Sequence, residues 1–234
     1  MSQPETLYLV CGLLSDETVW QHQLAALGDA YEIRIASFPG FDSIGAMAQD
    51  LIDGAPERFS IAGHSMGGRV ALEVYRAIGE RVDRLALLDT GIHPAHPNEP
   101  ALRQLLIDMA RDRGMGAMAE EEWIPSILHP SRHHDSELVK ALSEMAQRSS
   151  LEQFENQIKA LLNRPDMSAL LPRIRCKTLI CCGREDAWAS ENQHIEMARL
   201  IEGSELAVLE DCGHMTTMEK PAEVSQLLLD WMGK

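Results

Sequence analysis

The stretch Gly63-His64-Ser65-Met66-Gly67 constrains this chain more than any other. An apolar run, residues 59–62, leads into it, and a helix-period run, residues 68–78, leads out. A strand that turns at once into a helix crowds its backbone two residues either side of the turn. Side chains at 63 and 67 would clash there, so glycine is required. The turn lifts the Ser65 hydroxyl out of the sheet and sets the first amides of a helix beside it, where negative charge is favoured.

The rest of the chain supplies a sheet for that turn. Strand-like runs at 6–10, 31–36, 59–63, 85–89, 177–182 and 205–209, the second of them alternating, are interleaved with helix-period segments at 19–27, 44–52, 67–78, 191–201 and from Pro221 to near Met232. Such alternation predicts an α/β fold: a mostly parallel, doubly wound sheet of about six strands with helices on both faces. From Gly91 to about Ser168 the strand pattern stops. Prolines at 94, 97, 100, 125, 130 and 165 punctuate helix-period segments at 101–111, 115–123, 135–148 and 151–162. A helical cap inserted after the strand ending at Asp89 is expected, with 91–168 as the cap and 1–90 plus 169–234 as the core of one domain. A lid of this kind encloses a pocket and excludes water.

Composition narrows the partners. The 234 residues carry a formal net charge of -15, which argues against nucleic acid and anionic membrane surfaces, since phosphate binding needs concentrated Lys and Arg. A highly anionic substrate is disfavoured too, unless a local arginine cluster overrides the global field. No apolar run approaches the ~20 residues that span a bilayer, and the first residues, Met1-Ser2-Gln3-Pro4, lack the basic region of a secretory signal. Five cysteines without a C-x-x-C spacing point to a reduced, cytoplasmic protein. His129, His133 and His134 lie near Pro130, but no carboxylate completes a ligand spacing, so neither a metal nor another cofactor is expected.

In four blocks the chain resembles the α/β-hydrolases of the single-domain esterase and C–C hydrolase type. The blocks are Cys11-Gly12-Leu13-Leu14 with Trp20, Gly63 to Gly68, Gly183-Arg184-Glu185-Asp186, and Gly213-His214 with Glu219 and Pro221. They occur in the family's order and each lies at a strand end. Cys11 stands where the family often has His, which leaves the chemistry intact because the oxyanion donor there is a backbone amide.

A serine hydroxyl needs a base within hydrogen-bond reach. His214, on a glycine-preceded loop after the last strand, is the expected base, and Asp186, after the preceding strand, the expected orienting acid; the order Ser, Asp, His is that of this fold. Asp89 and Glu185 are the alternatives for the acid, and packing is expected for His64. The amides of Leu13 and Met66 are expected to hold the oxyanion. Leu14, Trp123, Ile127, Trp188 and Met215 are expected to line the substrate pocket, while Met115, Met118 and Leu128 either join them or pack the cap. Arg69 either meets an anionic substrate group or pairs with an acid.

Three functions follow. The first is hydrolysis of carboxylic esters of small to medium acyl chains through an acyl-enzyme, a small-molecule ester being the partner. The second is a lyase or C–C hydrolase with the same triad. The resemblance of residues 63–69 to the cyclohexadiene-carboxylate synthase of menaquinone synthesis implies it, since the arginine after the paired glycines meets a substrate carboxylate there and Arg69 matches it. The third is a non-catalytic small-molecule sensor on the same fold.

Overall fold

Residues 4–233 are described by the computed structural model. Residues 1–3 and Lys234, the ends of the expected core, lie outside the described residues. The strands are β1 (Thr6–Val10), β2 (Glu32–Ala36), β3 (Phe59–His64), β4 (Val82–Leu88), β5 (Lys177–Gly183) and β6 (Glu205–Leu209). They make one sheet, ordered β2-β1-β3-β4-β5-β6, and every pairing in it is parallel. β1 and β3 are buried along their whole length. That is why they read as largely apolar runs, as strands covered on both faces do.

The helices are α1 (Gln21–Leu27), α2 (Ile44–Gly54), α3 (Met66–Ile78), α4 (Glu99–Arg113), α5 (Met115–Met118), α6 (Ile124–Ile127), α7 (Ser136–Gln147), α8 (Leu151–Leu162), α9 (Glu191–Leu200), α10 (Thr216–Glu219) and α11 (Pro221–Met232). Their ends follow ordinary capping chemistry. Ser43, Asp135 and Ser150 accept from Ala46, Leu138 and Gln153 amides at 3.2, 3.1 and 3.1 Å. Pro221 sits in the first turn of α11, and Gly233 closes that helix at φ 88°. The helix expected over 19–27 starts as a 3-10 turn, Glu17–Trp20, before α1 takes over. β4 starts three residues earlier than its apolar run suggested and ends at Leu88, so that Asp89 lies beyond it at φ 49°.

Connection handedness places the layers. The step from β1 to β2 moves one way across the sheet, and the steps from β2 to β3 and from β3 to β4 move the other way. Right-handed crossovers therefore put α1 on one face and α2 with α3 on the opposite one. α1 packs on α11, and α2 on α3. The reversal falls between β1 and β3, and ligands bind beyond the carboxyl ends of strands at such a point.

Between β4 and β5 the chain is helical, running through α4 to α8 with a π turn, Ala119–Trp123, joining α5 to α6. These helices are fastened to the sheet domain by polar contacts of long sequence range. Arg148 binds Asp16 at 2.6 Å, Lys159 binds Asp42 at 2.5 Å, and the buried Gln157 accepts from the Leu14 amide at 3.0 Å. The two ion pairs are largely exposed and contribute little; the buried amide bond is the stronger fastening.

Candidate active site

The elbow is built by close backbone approach. A Cβ on Gly63 would lie 2.3 Å from the Gly67 carbonyl oxygen, and one on Gly67 would lie 2.2 Å from that of Val10. Neither position tolerates a side chain. Ser65 itself sits at φ 55°, a left-handed conformation that costs a non-glycine residue of order 1–3 kcal/mol. Its amide donates to the Leu88 carbonyl at 2.9 Å, and its carbonyl accepts from the Thr90 hydroxyl at 2.7 Å. Thr90 is held in turn by His194, whose Nε2 accepts the Thr90 amide at 3.1 Å. Burial lowers the His194 pKa and so favours the neutral ring this bond requires.

Ser65, His214 and Asp186 come together from the ends of β3, β6 and β5. The Ser65 hydroxyl lies 2.8 Å from His214 Nε2, and His214 Nδ1 lies 2.8 Å from Asp186 Oδ2. The other Asp186 oxygen, Oδ1, accepts from the Trp188 and Ala189 amides, each at 2.8 Å. Burial pushes the Asp186 carboxyl up, but the His214 charge, its hydrogen bond and those two amides outweigh it, and the acid stays below the ordinary carboxylate value. Burial likewise pulls the His214 ring down, and the attraction of Asp186 more than reverses this, so the ring is a stronger base than a free histidine.

Asp89, the alternative acid, is directed elsewhere. Its oxygens accept from the Gly183 amide at 3.3 Å and from the amide and hydroxyl of Thr216 at 3.2 and 2.5 Å. Glu185 accepts the Cys212 amide at 3.1 Å. His64 is buried, with Nε2 donating to the His214 carbonyl at 2.9 Å; it supports the histidine loop and also lines the cavity. Glu219 performs a second support that sequence reading missed. Its Oε1 accepts the Gly213 and Met215 amides at 3.0 and 3.2 Å, and its Oε2 accepts the His129 amide at 2.9 Å. One carboxylate thus clasps both sides of His214 and ties them to the cap. Burial raises its pKa.

Leu13 and Met66 both border the cavity beside Ser65. Among the described residues no protein acceptor takes either amide. Leu14 stands at φ 57° with its own amide bonded to Gln157. That conformation turns its side chain into the core, where it is fully buried.

The cavity has a volume of about 430 Å³, within the range of small-molecule sites. Trp123, Trp188 and Met215 line it, as do Ser65 and His214. Two expected pocket residues do not. Leu14 is turned inward by its positive φ. Ile127 is buried where the cap meets the histidine loop, its carbonyl accepting the His214 amide at 2.7 Å. Met115, Met118 and Leu128 are also absent from the lining; Met118 and Leu128 are buried in the core and Met115 packs against it.

Instead, α4 and the residues after α8 contribute polar groups. Arg103 and Arg164 share Glu99, at 3.1 and 2.7 Å. Arg69 faces the same cavity, with Nη1 donating to the His93 carbonyl at 3.0 Å. Burial, and next the charge of Arg164, pull the Arg69 pKa down to about 9. Burial opposes ionisation of Glu99, but the two arginines hold its pKa at about 2. No sequence periodicity marks either arginine: helix-period reading assigns Arg103 on α4 to a solvated face, and Arg164 lies beyond the end of α8.

Among the described residues no three His, Cys, Asp or Glu side chains gather as a metal site. His129 contacts Ser131, and His133 contacts the Leu128 carbonyl. All five cysteines are free, and burial raises the Cys11 thiol pKa. No helix is long and apolar enough to cross a membrane among the described residues.

With this sheet order and a serine at the elbow, the chain has the architecture of an α/β hydrolase. A family model described as "Alpha/beta hydrolase family" matches residues 7–227, and the chain belongs to that family. Among its relatives is a thermophilic esterase from Thermogutta terrifontis, solved malate-bound. That structure is 29% identical with a TM-score of 0.87, and the match covers 99% of this chain and 90% of that one. The 2-hydroxy-6-oxo-6-phenylhexa-2,4-dienoate hydrolase of Comamonas testosteroni is 25% identical over 86% of this chain and 77% of its own length. A protein of Rhizobium rhizogenes named "Putative carbamate hydrolase RutD" is 22% identical over 97% of this chain and 92% of its own.

Proposed function

We propose that this α/β hydrolase is a serine hydrolase that cleaves carboxylic esters through an acyl-enzyme. The observation that carries the reading is the chain of two 2.8 Å contacts from Ser65 Oγ through His214 to Asp186, at the wall of the cavity. His214 Nε2 takes the hydroxyl proton as Ser65 Oγ attacks the acyl carbon. The charge on the ester oxygen rests on the Leu13 and Met66 amides, each donor of this kind being worth ~3 kcal/mol. His214 then protonates the departing alcohol. Water, activated by the same ring, adds hydroxide to the acyl carbon, and the carboxylic acid leaves as Ser65 regains its proton. Asp186 keeps the ring in the tautomer that presents Nε2 to Ser65.

Hydrolysis of p-nitrophenyl butyrate tests this. Ser65→Ala is expected to abolish it while the melting temperature stays near that of the native protein, and a fluorophosphonate probe is expected to label Ser65. Retained turnover in the variant refutes the mechanism; a native protein that neither labels nor turns over ester favours the sensor reading.

A second reading, C–C bond hydrolysis or lyase chemistry with the same three residues, is supported by Arg69 on the cavity wall and by the name of the Comamonas relative. Turnover of a vinylogous keto-acid with no ester turnover would favour it.

A further inference from the structure

Ser65 and Asp186 leave the sheet from β3 and β5, and His214 can bridge them only while their separation is held. β4 runs between those two strands, and the residues that follow it bind to both neighbours. Asp89 turns the chain at φ 49°, its amide donating to the Cys181 carbonyl of β5 at 2.9 Å. Thr90 then lies against the elbow. Its hydroxyl donates to the Ser65 carbonyl at 2.7 Å, and a Cβ on Gly68 would meet its Cγ2 at 2.6 Å. Ser65 stands at φ 55°, and a strained residue persists only where its surroundings fix it. Thr90 is part of what fixes the nucleophile.

Thr90 depends in turn on a side chain. Its amide is buried and donates not to a carbonyl but to the ring nitrogen Nε2 of His194, at 3.1 Å. That bond dictates the tautomer. A backbone N–H can only donate, so Nε2 carries the lone pair and the proton sits on Nδ1. Nδ1 donates to the Ser190 carbonyl at 3.0 Å. Ser190 follows Ala189, whose amide donates to Asp186 Oδ1 at 2.8 Å. The His194 side chain is fully buried, so bulk water does not compete for either bond. Two paths therefore join the nucleophile to the acid. One is the relay through His214. The other runs from the Ser65 carbonyl through Thr90, His194 and Ser190 to the Asp186 loop, and the two together close a ring.

Resting on the serine-hydrolase reading above, we propose that His194 is a positioning residue that sets the separation of Ser65 and Asp186 and so keeps Ser65 Oγ within reach of His214. Both of its ring bonds go to backbone groups, so it acts through Thr90 and Ser190 and not on the reacting atoms.

His194→Met fills the site without the acceptor or the donor. It is expected to lower kcat on p-nitrophenyl butyrate by about 10- to 100-fold, the scale of a small misplacement at a reacting centre. KM should stay within about threefold of native, because ground-state binding is untouched, and fluorophosphonate labelling of Ser65 should slow in parallel with kcat. The side-chain oxygen of glutamine can stand where Nε2 does, so His194→Gln is expected to recover kcat to within about fivefold of native. Thr90→Val removes the link to the Ser65 carbonyl and leaves His194 in place; a loss of about tenfold in kcat is expected, which keeps the test available should His194→Met fail to fold. Lower melting temperatures with unchanged kcat in His194→Met and Thr90→Val overturn the proposal, as does a His194→Gln protein as slow as His194→Met. The tautomer is read without any substrate: nitrogen-15 NMR of the native protein is expected to place the His194 proton on Nδ1, and a proton on Nε2 overturns the proposal whatever the protein hydrolyses. Native protein inert toward both ester and probe refutes the hydrolase reading instead. The proposal then rests on a crystal structure of His194→Met, in which the distance from Ser65 Oγ to His214 Nε2 is expected to lengthen from 2.8 Å to beyond hydrogen-bond reach; an unchanged distance overturns it.

Discussion

Replacing Gln157 by methionine should damage a loop that Gln157 reaches only because the cap folds over the sheet. The side chain is 1% exposed; Oε1 accepts the Leu14 amide at 3.0 Å, and Nε2 donates to the Phe38 carbonyl at 3.4 Å. Methionine is close in size but offers no comparable acceptor. The Leu14 amide would stay buried and unmet, at a cost of about 1–3 kcal/mol. For a chain of this length each kcal/mol moves the melting temperature by about 2–4 °C, so a fall of about 4–8 °C is expected from ~2 kcal/mol. The larger effect should be kinetic. Leu14 holds φ at 57°, and the Gln157 bond helps to keep it there. Once that bond is lost, Leu14 relaxes and the adjoining Leu13 amide shifts. If Leu13 is an oxyanion donor, kcat drops by about 100-fold, with KM less affected because the contact forms in the transition state. Gln157→Glu keeps an acceptor for Leu14 and should retain more activity than the methionine variant. Steady-state kinetics on p-nitrophenyl butyrate beside thermal melting reads both effects. A lower melting temperature with unchanged kcat would refute the link between cap and oxyanion loop.

Further outcomes are expected. On the proposed mechanism His214 acts as the neutral base, so kcat/KM of the native protein on a neutral ester should rise with pH through an apparent pKa above the usual histidine value of 6.5, Asp186 holding the proton on the ring. In Asp186→Asn that inflection should move down and the rate fall about 10⁴-fold; an unmoved inflection in the pH–rate profile argues against the pairing. Gly67→Ala should prevent folding or strongly lower the melting temperature, because its Cβ would lie 2.2 Å from the Val10 carbonyl oxygen; a near-native circular dichroism melt contradicts the elbow geometry. Glu219→Ala leaves the Gly213, Met215 and His129 amides without their acceptor, and should lower both stability, by several kcal/mol, and kcat. Arg148→Ala breaks a half-exposed pair with Asp16 and should cost less than about 1 kcal/mol by denaturant unfolding.

Much of the fold was legible in the chain because its rules are local. Buried parallel strands must be apolar along their length, so β1, β3 and β5 announce themselves, and the paired glycines around Ser65 have one structural explanation. The cap was visible as the place where strand periodicity stops. Residues at strand ends are legible in the same way: Ser65, Asp186 and His214 each follow a strand, and a parallel sheet brings all such ends to one edge. The polar ties were not legible. Glu219 belongs to a block that resembles the family, yet nothing near it in the chain shows that its carboxylate holds the loop around His214; Gln157 reads as a polar residue on an amphipathic helix, and Arg103 as part of a charged face.

What the sequence determined alone is therefore the sheet, the elbow and the loops from which a serine, a histidine and an acid emerge, since each depends on backbone geometry written in neighbouring residues. What only the tertiary structure decided is how the cap sits: that Leu14 and Ile127 turn away from the cavity, that Gln157 grips the loop beside Leu13, and that Arg103 and Arg164 meet on Glu99 at the cavity that Arg69 also lines. Those contacts join residues far apart in the chain, and no period or spacing encodes a meeting that depends on where one packed layer comes to rest upon another.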